Sequence, residues 1–360
     1  MVLNADELNL GNSGFGIFLG AGASFEAGYP LMTTLTSSVL KSLNGSQVNC
    51  IANLVGEELE SGLDVENGTP NIEIISDLLE IRAVTLGPVH GKEYNQLAHK
   101  VRDVIVEVLQ AVTNPDLTHH IRLLESFRRI KEGQTTPLCI FTTNYDLLIE
   151  RAATEVGVPL YDGFIGGPTR FLKPSSLSWC HGTISNQYGR PQFESRTGPY
   201  INLVKLHGSI GWWIVQQRNG QQGVYACLDS SLIRGDLTRA MIMPQRSKVH
   251  DVLGPPYDQL WEAACSVLGT QCKYIVTSGY SFGDDHINRK LFVPRLANGK
   301  LKLIALVYSE TEGLSAISHF ASMTYCSKDT KSNGGIKSSI NTDLWKFSSF
   351  VDLIARYAGI

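Results

Sequence analysis

The stretch GFGIFLGAGASFEAGYP, Gly14 to Pro30, begins apolar and stops abruptly at Gly20-Ala21-Gly22-Ala23-Ser24. The same event recurs along the chain. Leu138-Cys139-Ile140-Phe141 ends in Thr142-Thr143-Asn144-Tyr145-Asp146, Asn202 to Leu206 runs into His207-Gly208-Ser209, and Lys273 to Ser278 runs into Gly279-Tyr280-Ser281. Short apolar runs bounded by turn residues read as buried strands. Strands that alternate with helical patterns imply an α/β fold, a Rossmann-like, doubly wound parallel sheet. Such sheets bind ligands beyond the carboxyl ends of their strands, and that is where the unusual polar residues of this chain collect.

Between the first two strands, Pro30 to about Lys131 is mostly helical in pattern: LMTTLTSSVLKSL, NIEIISDLLEIRAV and HKVRDVIVEVLQAV. Asn44-Gly45 and Asn67-Gly68-Thr69-Pro70 punctuate it. A helical stretch of this length between two strands reads as an insertion, residues 31–135. Asp146 starts the helical pattern LLIERAATEV, and Gln259 to Gly269 gives another. Residues 163–200 are rich in Gly, Pro and Ser and are expected to form a long irregular surface region. Leu301 to Tyr308 is the last clear strand, and residues 310–360 read as a C-terminal helical extension.

The balance of charge narrows the partners. With 31 basic and 34 acidic residues the net charge is -3, which argues against bulk electrostatic binding of nucleic acid. A hydrophobic fraction of 43% and a charged fraction of 18% suit a packed core. Seven cysteines lie scattered with no Cys-x-x-Cys pair, so a reducing, cytoplasmic setting is expected and no disulfide framework. The start, MVLNADELNL, does not look like a signal peptide, and no apolar run reaches the roughly 18 residues of a membrane span.

Each strand-end motif has a functional and an ordinary reading. Glycines after a strand let the backbone approach a pyrophosphate, or simply make a turn; the Gly-Lys-Ser/Thr ending of a P-loop is missing. Ser24 can cap a helix or donate to a phosphate. Asn144 can bond a ribose hydroxyl or hold a water, and Asp146 can cap the next helix, though both are also common turn formers. His207 can accept a proton near pH 7, while a lone histidine is more often a packed residue. Gly279-Tyr280-Ser281 can cradle a ribose or phosphate, or make a turn. Gly283-Asp284 has turn chemistry and can cap a helix from Ile287, and Asp285-His286 has the composition of a catalytic pair. Cys180-His181 lacks companions at zinc spacing.

Taken in order, Gly20-Ala21-Gly22-Ala23-Ser24, Thr143-Asn144-Tyr145-Asp146, His207-Gly208 and Gly279-Tyr280-Ser281 resemble the motifs of the sirtuin superfamily. The resemblance spans about residue 14 to about residue 310, and implies a single NAD-binding domain over 1–360. Tyr145, Tyr161-Asp162-Gly163-Phe164 and Lys205-Leu206-His207-Gly208-Ser209 resemble bacterial sirtuin-like proteins of antiphage defence, which are NAD+ hydrolases. The chain departs from the deacylases. Cys227, Cys265 and Cys272 follow His207 without the four-cysteine zinc ribbon, and Gly28-Tyr29-Pro30 is followed by Leu31-Met32-Thr33 rather than Asp-Phe-Arg.

The resemblance implies that NAD+ is a substrate and that no metal is needed. Gly20, Ala21, Gly22 and Ser24 would hold the pyrophosphate, Gly279, Ser281 and Tyr308 the adenosine end, and Thr143 and Asp146 the ribose side. Asn144 and His207 would be catalytic. It further implies an effector that depletes NAD+ in abortive infection, working as a homo-oligomer or with a separate partner such as a HerA-type ATPase. An NAD+ or ADP-ribose sensor without chemistry, or less readily a protein deacylase, are the alternatives.

Overall fold

The structure, a computed structural model, describes residues 6–179, 182–187, 189–195, 198–216, 222–241 and 257–360. The Cys180-His181 pair lies outside the described residues. Strand β1 (Phe15–Leu19) leads into the five-residue helix α1 (Ala21–Phe25). Helices α2 (Met32–Ser42), α3 (Gly45–Leu59), α4 (Ile72–His90), α5 (Lys92–Gln110) and α6 (Thr118–Ile130) follow without an intervening strand. Their starts are written locally: Asn44 and Gln47 form a reciprocal capping box on α3, and the Asn71 side chain caps α4.

Strand β2 (Leu138–Thr142) and helix α7 (Leu148–Val156) come next, then β3 (Leu160–Tyr161), β4 (Phe164–Gly166) and β5 (Arg170–Leu172). A hairpin of β6 (Gly182–Gln187) and β7 (Arg190–Ser195) precedes β8 (Ile201–Lys205), β9 (Gly208–Gln216), β10 (Gln222–Ala226) and β11 (Asp236–Met241). The described residues of 163–200 are therefore not irregular: they hold four strands and a 3-10 turn over Pro174–Ser178. Helix α8 (Tyr257–Val267) feeds β12 (Tyr274–Ser278). A π-helical turn, Ile287–Phe292, runs into α9 (Val293–Ala297), and β13 (Lys302–Leu306) follows. The last segment is not simply helical. It contains α10 (Glu312–Ile317), the strands β14 (Met323–Cys326), β15 (Thr330–Asn333) and β16 (Ile336–Ser339), and α11 (Phe347–Ala358).

Among the described residues the main sheet has the order β16-β15-β14-β13-β12-β1-β2-β8-β3. From β14 through β3 every neighbour is parallel, and the pairings of β15 with β14 and with β16 are antiparallel. The fold is thus a mixed α/β one built on a parallel-dominated sheet. Chain order reverses at β1, with β2 and β8 on one side and β12, β13 and β14 on the other. That reversal is the switch point where open α/β sheets form a ligand crevice.

The pleat sorts the core. Phe15, Ile17 and Leu19 point to one face and pack with residues of α6, α7 and α11, whereas Phe18 points to the other and packs with α8 and the π-helical turn. A second, antiparallel sheet has the order β11-β9-β10-β5-β4. Helices α2 to α5 share an apolar cluster with Ile210 and Met241 of that sheet and with Leu148 at the start of α7. The helical segment therefore leans on the strand that begins beside His207. The six cysteines among the described residues are free thiols, and no helix among these residues is long and apolar enough to cross a membrane.

Candidate functional site

Strand β1 ends at Leu19, and the backbone at Gly20 turns against the loop that leaves β12. Gly20 N–H donates to Ser278 O at 3.0 Å, and Gly22 N–H to Gly279 O at 2.9 Å. The two loops are in backbone contact. A Cβ on Gly20 would lie 2.5 Å from Gly279 O, and one on Gly22 would lie 2.7 Å from Gly279 Cα. Gly279 itself has φ +67, and its Cβ would lie 2.2 Å from Ala23 N. Glycine is thus required on both sides by the approach of one loop to the other. A reading in which the glycines admit a pyrophosphate is not needed to explain them. Ala21 is exposed beside this contact, while Ser24 is buried.

Ser24 anchors the next layer. Its hydroxyl donates to Asp146 Oδ2 at 2.7 Å and accepts from Asn144 Nδ2 at 2.8 Å. The carboxylate can only accept, so the direction of this chain is fixed. Asn144 Nδ2 also donates to Gly20 O at 2.9 Å, which fixes the amide orientation, and Oδ1 accepts no bond from the described residues. Asp146 is fully engaged: Oδ1 accepts Leu148 N–H at 3.0 Å and so caps α7, and its carbonyl accepts from Lys205 Nζ. Lys205, 1% exposed, also pairs with Glu150 at 2.9 Å. Burial raises the Glu150 carboxyl more than Lys205 lowers it. Thr142 Oγ1 donates to Leu19 O and accepts Asn144 N–H, and Thr143 N–H donates to Leu19 O. The ends of β1 and β2 are stitched together by these bonds.

His207 closes the site from β8. It is buried, and the chain turns at Gly208, with φ +85, into β9. Its Nε2 lies 3.0 Å from Asp284 Oδ2. The other oxygen of Asp284 accepts His286 N–H at 2.9 Å and Ile287 N–H at 3.0 Å. Burial pushes the Asp284 carboxyl up, but the His207 bond and charge and the Ile287 amide outweigh it and hold it below the ordinary carboxylate value. Asp284 thus caps the following turn as its sequence suggests, and it also meets His207, a contact that the sequence did not disclose. The Asp285-His286 pair is not assembled: Asp285 bridges to Arg289 at 2.8 Å, and the His286 ring packs on Trp261 with centroids 4.5 Å apart.

Two further expected residues, Ser281 and Tyr308, are exposed. Ser281 is exposed, its carbonyl taking Thr311 Oγ1–H at 2.7 Å. Tyr308, 59% exposed, lies edge-on to Trp345 with ring centroids 4.9 Å apart, and Lys328 Nζ lies over its ring, 5.9 Å from the centroid. An open cavity of about 310 Å³ lies elsewhere, between α5 and the second sheet, lined by His99, Asp103, Trp213 and Arg239 among others. The described residues hold no group of three or more His, Cys, Asp or Glu able to bind a metal ion.

No curated protein matches the chain. Two solved structures align along nearly its whole length. One, described as Sir2Tm bound to a propionylated peptide, shares 11% identity at a TM-score of 0.45, covering 99% of this chain and 98% of that one. The other, SIR2 in complex with the inhibitor EX-527, 2'-O-acetyl-ADP-ribose and a deacetylated p53 peptide, shares 13% identity at a TM-score of 0.42, covering 99% of each. Residues 138–315, a segment that carries Asn144, Asp146, His207 and Asp284 but not the Gly20–Ser24 turn, match the model of a family described as the SIR2-like domain.

Proposed function

We propose that this chain hydrolyses NAD+ to nicotinamide and ADP-ribose. The observation that carries the reading is His207: a buried imidazole bonded to a carboxylate through Nε2, at the end of a parallel strand, within the segment that matches the SIR2-like domain. In this reading its Nδ1 takes the proton of a ribose hydroxyl or of the attacking water, a role usually worth about 10²–10⁴-fold. Oδ1 of Asn144 orients that water or the nicotinamide ribose. Asp146 holds Asn144 in place through Ser24, and Thr143 flanks the ribose. The Gly20–Ser24 turn lies under the pyrophosphate, and Gly279, Ser281 and Tyr308 flank the adenosine end. The glycosidic bond to nicotinamide breaks because a cationic leaving group departs as a neutral one. The reading assigns the chemistry to side chains, with NAD+ as substrate and no metal.

The biological role follows as part of the same proposal. A chain that consumes NAD+ suits an effector of antiphage defence that stays off until triggered, as a homo-oligomer or with a separate partner such as a HerA-type ATPase. The test is release of nicotinamide and ADP-ribose from NAD+ by the purified chain, alone and with the product of its neighbouring gene. Asn144→Ala and His207→Ala should each abolish release while the protein stays folded. Wild-type turnover in either variant would sink these assignments. NAD+ binding with no release under any condition would favour the sensor reading.

A further inference from the structure

The loop from Gly279 to Asp284 is built to present one carboxylate. Gly279 has φ +67 and Phe282, a bulky residue, has φ +60, a backbone region that L side chains rarely occupy. Phe282 is held there. Its carbonyl accepts Asn288 Nδ2–H at 2.7 Å, and Gly313 passes so close that a Cβ on it would lie 2.0 Å from that oxygen. Tyr280, buried, donates to Asn288 Oδ1 at 3.3 Å. The result is that Asp284 faces His207 from 77 positions away in sequence. Its two oxygens divide the work, Oδ1 for the two backbone amides and Oδ2 for the imidazole.

We propose that Asp284 is a positioning residue that fixes His207 as the Nε2–H tautomer and so leaves the Nδ1 lone pair free to accept a proton. A carboxylate can only accept a hydrogen bond, so Nε2 must carry the hydrogen that lies between them. Nδ1 of His207 has no partner among the described residues, and unlike Nδ1 of His119 and of His120 it is not a sealed polar atom. The inference rests on the NAD+ hydrolase reading for what Nδ1 acts on, but the tautomer can be measured without any substrate.

The experiment is 15N nuclear magnetic resonance of the full chain labelled at histidine, with His207 assigned by comparison with His207→Gln. Alongside it, kcat and KM for NAD+ are measured in wild type, Asp284→Asn and Asp284→Glu. The asparagine variant keeps an amide-accepting oxygen for His286 and Ile287 and turns its NH2 toward His207. Nε2 then becomes the acceptor and the proton moves to Nδ1. The expected result is an Nε2–H spectrum in wild type and an Nδ1–H spectrum in Asp284→Asn. With that inversion kcat should fall by about 10²-fold or more at nearly constant KM. Asp284→Glu should return the Nε2–H form and part of the turnover. An Nδ1–H signal in wild type, or an unchanged tautomer in Asp284→Asn, overturns the proposal, as does an inverted tautomer with undiminished kcat. If wild type releases no nicotinamide at all, the hydrolase reading fails while the nitrogen spectra still decide the role of Asp284.

Discussion

Ser24 Oγ lies 2.7 Å from Asp146 Oδ2, a buried bond between residues 122 positions apart that joins the turn after β1 to the start of α7. Because the same hydroxyl accepts from Asn144, a single oxygen sets the position of the residue assigned to orient water. Ser24→Ala leaves a buried carboxylate oxygen and an amide hydrogen without a partner. It should cost about 1–3 kcal/mol of stability and lower nicotinamide release. Urea denaturation read beside the release assay checks both, and a fully active, fully stable variant would show that the relay has no role.

Gly279→Ala adds a carbon 2.2 Å from Ala23 N at a residue with φ +67. Both the contact and the dihedral oppose it, and neither neighbour is a flexible side chain. We expect a loss of roughly 2 kcal/mol or more and a weakened affinity for NAD+, read by thermal denaturation and by titration with the dinucleotide. A melting temperature equal to wild type would mean that the two loops separate easily.

Lys205 is sealed between the Asp146 carbonyl and Glu150. Lys205→Met strands the carboxylate of Glu150 and should cost about 3–5 kcal/mol, whereas removing both partners in Lys205→Met with Glu150→Leu should recover much of it. A double variant as unstable as the single one would contradict a pairwise origin.

Burial holds the His120 imidazole down at about 4 against an ordinary 6.5, with the Asp146 charge opposing it. A base with a depressed folded-state value takes up its proton more readily in the unfolded chain. Its contribution to stability is therefore whole above about 6.5 and is lost as pH falls from there toward about 4. Across that window the loss should approach roughly 3 kcal/mol. Denaturant melts of wild type and His120→Leu at several pH values check this: the variant should lose less stability on acidification. Parallel losses would assign the acid sensitivity to other groups.

The main sheet was readable because its central strands are short apolar runs that stop at glycine or polar residues, and the pleat leaves both faces of β1 buried. Asn144, Asp146 and His207 stood out because they occupy those stops. Strands β15 and β16 were not visible: TKSN and IKSS have no apolar alternation, and β16 is exposed along its length. The strands within residues 163–200 were hidden by turn residues that turn out to join short strands rather than replace them. Asp284 was half legible. Its cap signature is local, but the imidazole that takes its second oxygen is distant in sequence, and no spacing rule connects them. The glycines of the first turn carried a true signal, close backbone approach, and the sequence did not say which backbone approaches.

The contact of Gly20 and Gly22 with Gly279 has a mechanical consequence. Neither loop can gain an atom or slide without displacing the other, so the two lips of the crevice at the switch point form one jaw with no hinge between them.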